Sequence, residues 1–298
     1  MTIETRRLRK RFGSNDALKG IDLTVPEGSA YALIGTNGAG KTTTIRILMN
    51  MLAATGGSAA VLGVDSRRLG PDEFARIGYV ADHQDLPGDL TAGRYIEYLR
   101  PFYSSWDRQL ETSLIRTLAL PVDSRIRTLS HGTRMKLSLV CALSYHPRLL
   151  VLDEPLGGLD PLVRDEFLEG LIQQAGDLTI LISSHELAEI EGLVTHVGFL
   201  DAGRLLVQES MSNLSARLRE VRVTLDREAA PPSPLPVDWL QVQAIGNVLS
   251  FIDTRFSETE SHQRIAASLA GVRGIDARPM PFRTIFTALA HAARSEGA

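Results

Sequence analysis

Residues Gly35, Thr36, Asn37, Gly38, Ala39, Gly40, Lys41 and Thr42 read GTNGAGKT, the spacing G-x-x-x-x-G-K-T. Glycines at those places let a backbone curl so that several N–H groups face one anion. The stretch follows the short apolar run YALIG (31–35) and opens TTTIRILMNML (42–52), which has helical spacing. A loop between strand and helix aims the helix N-terminus at a phosphate. Lys41 then reaches β- and γ-phosphates, and the Thr42 hydroxyl is available to Mg²⁺. The dinucleotide spacing does not fit, because Thr43 stands where a third glycine would fall.

Two further groups of polar residues end apolar runs. LLVLDEP (149–155) places Asp153 and Glu154 after a strand-like segment. Asp153 can hold nucleotide-bound Mg²⁺ partly through water, and Glu154 can orient or deprotonate an attacking water. LTILISSH (178–185) ends in His185, whose ring can reach the same γ-phosphate. The carboxyl ends of parallel strands are where ligands sit in an α/β sheet, so these residues converge only if the runs are neighbouring strands.

The elements that must position them follow from the hydrophobic pattern. Apolar runs at 31–35, 76–81, 148–155 and 178–185 alternate with helix-like stretches, which predicts a parallel sheet with helices on both faces. VGFLDAGRLL (197–206) predicts a hairpin turning at Ala202-Gly203. Between 86 and 145 the pattern is helical throughout. Within it, LSHGTRMK (129–136) starts a helix with Ser130 as N-cap, leaving N–H groups free for an anion. Arg134 and Lys136 are expected on its solvated face. After 210 come a strand at 221–225, a proline-rich loop, a hairpin turning at Gly246-Asn247 and a final helix with the stripe Phe282, Ile285, Phe286, Leu289. The expected division is an α/β core at 1–85 and 146–210, a helical subdomain at 86–145, and a small α+β accessory domain at 211–298.

Composition narrows the class. A net charge of −3 over 298 residues gives no global basic field, and no nucleic-acid partner is expected. Cys141 is the only cysteine, so no disulfide framework is available and a reducing compartment is expected. No run of about eighteen apolar residues crosses a bilayer, and the N-terminus lacks the apolar segment of a secretory signal.

GTNGAGKT, LSHGT (129–133), LVLDEP (150–155), GGLD (157–160) and SSH (183–185), in this order, resemble the nucleotide-binding subunits of ATP-binding cassette (ABC) transporters over about residues 2–210. The resemblance implies a phosphate-loop NTPase fold, ATP and Mg²⁺, and a head-to-tail dimer. In that dimer Ser130 and Gly132 of one chain cap the γ-phosphate held by the other. It implies that Phe12 stacks on adenine and that Asp160 couples the two sites. Two departures stand out. His131 replaces a usual signature glycine. The position after the IGYV strand that is usually glutamine holds Asp82, with Gln84 two residues later. Either is expected to contact Mg²⁺ or water and to couple to the membrane partner.

The helical insert and the ending PFRTIFTALA (281–290) resemble ATPases of ABC-2 exporters. The implied partners are a separate integral-membrane permease and a second ATPase subunit, identical or a sister chain. The implied place is cytoplasmic, on the inner face of the cell membrane. Two alternatives remain. A soluble ABC ATPase acting on ribosomes or DNA would carry two cassettes or a long coiled coil. A metabolic kinase leaves LSHGT and GGLD unexplained.

Overall fold

The computed structural model describes residues 1–82, 84–174, 176 and 178–296, with side chains described through Leu289. The chain divides into two compact units, Met1–Gln208 and Glu209–Ala298.

In chain order the first unit begins β1 (Ile3–Phe12), β2 (Asn15–Ile21), β3 (Thr24–Val25), β4 (Ala30–Ile34), α1 (Lys41–Leu48), β5 (Gly56–Val61) and β6 (Val64–Asp65). It continues α2 (Pro71–Phe74), β7 (Ile77–Ala81), α3 (Ala92–Leu99), α4 (Arg108–Thr117), α5 (His131–Leu143) and β8 (Leu149–Asp153). Then come α6 (Pro161–Ile172), β9 (Thr179–Ser184), β10 (His196–Asp201) and β11 (Arg204–Ser210), whose last two residues fall in the second unit.

The central sheet has the order β11-β10-β4-β9-β8-β7, with β10, β4, β9, β8 and β7 parallel. Every residue of β4, β8 and β9 is buried. That explains why their sequences are continuous apolar runs rather than alternations. Register fixes the functional edge: Asp153 lies opposite Ser183 on one side and Ala81 on the other, and Ser184 lies opposite Ile34. The carboxyl ends of four strands are therefore level.

A second, antiparallel sheet, β2-β1-β5-β6 with β3 on β1, was not visible in the sequence pattern. The strand β1 reads IETRRLRKRF and buries only Ile3, Thr5 and Leu8. Register shifts between Leu8 and Arg9 and between Lys10 and Arg11 interrupt its alternation. Against β5 the register shifts between Arg6 and Arg9, where Arg7 has φ 45°. Gly57, with φ 77°, lies so close that a Cβ there would sit 2.2 Å from the Arg7 carbonyl oxygen.

Among the described residues, 92–143 contain helices and short 3₁₀ turns but no named strand. Asp107 caps α4 by accepting from the N–H groups of Gln109 (2.7 Å) and Leu110 (3.1 Å). The buried Glu111 accepts both arms of the Arg100 fork at 2.8 and 2.6 Å and the Trp106 indole N–H at 2.8 Å. The helix expected over 42–52 ends at Leu48, where the chain turns through Asn50 at φ 56°. Lys136 is not on a solvated face as expected: it is buried and ion-paired with Glu166 of α6, because α5 is packed by α3, α4, α6 and β7 at once.

The second unit holds α7 (Met211–Arg217), β12 (Arg219–Leu225), β13 (Trp239–Ile245), β14 (Val248–Asp253), α8 (Glu258–Ser268), β15 (Val272–Pro279) and α9 (Phe282–Glu296). Its antiparallel sheet has the order β13-β14-β12-β15. Val221, Val223, Trp239, Leu249, Phe251 and Ile265 form a core of their own, with Trp239 stacked on Phe251 at 3.8 Å between ring centres. Asp253 is fully buried and accepts from Ser261, Arg264 and the Arg255 N–H.

Candidate nucleotide-binding site

The phosphate loop joins β4 to α1. Gly40 precedes α1 in the left-handed conformation, φ 111°, and supplies no side-chain cap. The first N–H groups of α1 thus have no side chain competing for them. A Cβ on Gly35 would lie 2.3 Å from the Leu200 carbonyl oxygen, so the loop is seated directly against β10. Asn37 is exposed at the tip, Ala39 is buried and donates its N–H to Thr36 O at 3.1 Å, and Thr43 is half-buried. Lys41 is only 5% exposed. Its ammonium donates to Gly35 O (2.6 Å) and Thr36 O (3.2 Å) and pairs with Glu154 Oε1 at 3.0 Å.

At the end of β8, Asp153 Oδ1 accepts from Thr42 Oγ1 at 3.0 Å and from Ser183 Oγ at 2.8 Å. Burial pushes the Asp153 carboxyl above its usual range, and the two hydroxyl donors only partly oppose this. Glu154 follows with φ 51°, a strained conformation for a residue with a side chain. Its N–H donates to Ser183 Oγ (2.9 Å), and its Oε2 accepts from His185 Nδ1 (2.9 Å). Burial raises the Glu154 carboxyl. The bonds from His185 and Lys41 together outweigh burial and hold it below the ordinary carboxylate value. The phosphate loop, β8 and β9 thereby bring Lys41, Thr42, Asp153, Glu154 and His185 into one bonded group. Ser183, which joins Asp153 to Glu154, was not singled out from the sequence. A hydroxyl at the fully buried end of a strand is the signal for it, since such a group must find a partner.

A cavity of about 530 Å³ opens beside this group, lined by Thr42, Arg46, Asp82, Gln84, Asp153 and Glu154 among others. Both Asp82 and Gln84 reach it. Asp82 also donates its N–H to Asp153 O at 3.1 Å. Among the described residues no group of three or more His, Cys, Asp or Glu could hold a metal by itself. The donors that are present, a threonine hydroxyl beside a carboxylate, are oxygen ligands suited to a hard cation that brings phosphate oxygens with it.

The remaining expected residues lie outside the cavity lining. Phe12 is 48% exposed at the end of β1, with Lys10 Nζ 4.8 Å above its ring, so it is not a core residue. Ser130 is exposed and caps α5, its Oγ accepting from the Thr133 N–H at 3.2 Å. Gly132 is buried, and a Cβ there would sit 2.6 Å from Val163 Cγ1, which gives it a packing role between α5 and α6. Asp160 is exposed and caps α6 through Val163 N at 3.1 Å. His131 has its Nε2 at 2.9 Å from Asp82 Oδ1 and 3.2 Å from Gly157 O. Sequence reasoning passed over this contact.

The chain is similar in sequence and fold to known proteins. The profile of the ABC transporter family matches residues 18–157. The chain is 32% identical to the bacitracin transport ATP-binding protein BcrA of Bacillus licheniformis over 222 residues, 73% of this chain and 72% of that protein. It is 31% identical to the Nod factor export ATP-binding protein I of Cupriavidus metallidurans over 213 residues, covering 69% and 70%. A solved ATP-binding subunit of an ABC transporter superposes with a TM-score of 0.65 at 27% identity, covering 72% of this chain and 92% of that one. With the bonded group and its cavity, these likenesses place the chain among the ATP-binding subunits of ABC transporters, the ATPases that energise transport.

Proposed function

We propose that this chain powers export through a separate integral-membrane permease, as the names of relatives engaged in bacitracin transport and Nod factor export suggest. The observation that carries the chemistry is the convergence of Lys41, Thr42, Asp153, Glu154 and His185 at the level carboxyl edge of β4, β8 and β9. Lys41 and the N–H groups of the phosphate loop bind the β- and γ-phosphates. Thr42 and Asp153, with Gln84 or Asp82 across the cavity, hold Mg²⁺. Bound there, Mg²⁺ supplies charge neutralisation on the phosphate oxygens. Glu154, kept ionised by Lys41 and His185, orients the attacking water and accepts its proton. His185 donates to the γ-phosphate once Glu154 is engaged with water. Phe12 stacks on adenine.

Ser130 and the N-terminus of α5, with Gly132, face the ATP held by a second subunit, identical or a sister chain, and Asp160 links the two sites. ATP closes that dimer by favouring the closed state, hydrolysis reopens it, and the permease at the inner face of the membrane follows. Among the described residues no helix is long and apolar enough to cross a membrane.

The test is an affinity pull-down of Glu154→Gln with Mg-ATP from detergent-solubilised cells. Near-stoichiometric recovery of a multi-helix membrane protein is expected. Recovery of ribosomes or DNA without one would overturn the transporter reading in favour of a soluble ABC ATPase.

A further inference from the structure

The two departures from the family pattern touch each other. His131 stands where a signature glycine is usual, and Asp82 where a glutamine is usual. In the fold the His131 Nε2 lies 2.9 Å from Asp82 Oδ1 and 3.2 Å from Gly157 O. A carbonyl only accepts, so Nε2 carries the proton and donates it to Gly157 O, with the Asp82 carboxylate within ion-pair distance of the same nitrogen. The pair is about two-thirds shielded from solvent, with side-chain exposures of 31% and 24%. Each partner belongs to the machinery already described. Asp82 lines the cavity and donates its own N–H to Asp153 O. Gly157 donates its N–H to Glu154 O at 3.2 Å. A single imidazole therefore ties the first turn of α5 to the end of β7 and to the loop after Glu154. Neither of those attachments is made by Ser130, whose own bonds stay within the cap. Farther along α5, Lys136 is anchored to Glu166, so the helix is held at two points.

We propose that His131 is a positioning residue for the ATPase reaction. Its Nε2, bonded to Gly157 O and paired with Asp82, pins the N-terminus of α5 beside the cavity and so presents Ser130 to the nucleotide of the second subunit. This rests on the reading that Ser130 acts on that nucleotide.

The experiment measures Mg-ATP-driven dimerisation in the Glu154→Gln background, with kcat and KM in chains that keep Glu154. His131→Ala is expected to weaken dimerisation and lower kcat by roughly 10-fold, the scale of one hydrogen bond to a charged group, while single-chain ATP affinity is unchanged. His131→Gln, which keeps an N–H donor, is expected to recover most of the loss. Asp82→Ala disturbs the cavity as well, so the decisive comparison is the double variant. With the Asp82 contact already gone, adding His131→Ala to Asp82→Ala should cost less than His131→Ala does alone, since only the Gly157 contact remains to be lost. Wild-type behaviour of His131→Ala, or fully additive losses, would overturn the latch. If His131→Ala does not fold, His131→Phe, which keeps a ring but has no N–H, takes its place in the same cycle, and full additivity there again refutes the proposal. Ser130→Arg separates the two ideas. If it dimerises normally, the trans reading falls. If it blocks dimerisation while His131→Ala does not, only the latch falls.

Discussion

Glu154 is where opposing physical effects meet in one side chain. Burial works against its charge, while Lys41 and His185 hold it, and a left-handed backbone aims it. Glu154→Gln keeps the volume and removes the proton acceptor. ATP should still bind, and phosphate release should slow about 100-fold or more, the contribution of a positioned general base. Removing Lys41 acts on binding instead: Lys41→Ala should weaken ATP affinity at least about 10-fold in a calorimetric titration, since a buried charge-assisted contact to phosphate is lost. It also removes one of the two partners that oppose burial, so the Glu154 carboxyl should move upward. At this scale the sequence was most informative where the chemistry demands adjacent residues. The phosphate loop and the Asp153-Glu154 pair are contiguous, and their roles could be read from spacing. Ser183 and His131 act through partners on other strands and loops, so only the fold discloses them.

The helical segment between β7 and β8 depends on one buried charge. Glu111 is nearly covered, yet its carboxyl lies below the ordinary value. Burial pushes it up, and the Arg100 fork with the Trp106 N–H more than offsets that. A depressed carboxyl contributes stability above its unfolded-state value and loses it as pH falls through the folded one. Protection of α4 amides against hydrogen exchange should therefore decline in acid while the sheet stays protected. Glu111→Ala should destabilise this segment by about 3 kcal/mol at neutral pH, because Arg100 is left half-buried without a counter-ion. Among elements, β4, β8 and β9 were legible because both faces are buried and each is built on a continuous apolar run, ending in polar residues in β8 and β9. The strand β1 was not, because its arginines and lysines face outward and its register shifts destroy the two-residue period.

Over the whole chain, each unit has its own core, and the second is organised around a buried acid as the helical segment is. Asp253 accepts from Ser261, Arg264 and the Arg255 N–H. Asp253→Ala should lower the denaturant midpoint of residues 209–298, by about 3 kcal/mol of stability, and leave nucleotide binding by the first unit intact. Two separate unfolding transitions, of which only one moves, would be the signature. The chain has two tryptophans, Trp106 against Glu111 and Trp239 stacked on Phe251. One falls in each unit, and neither lines the cavity. The molecule thus carries a natural optical label for each half and none at the nucleotide. In a Trp239→Phe chain, any change in emission on adding ATP reports a rearrangement of the helical segment rather than contact with the base.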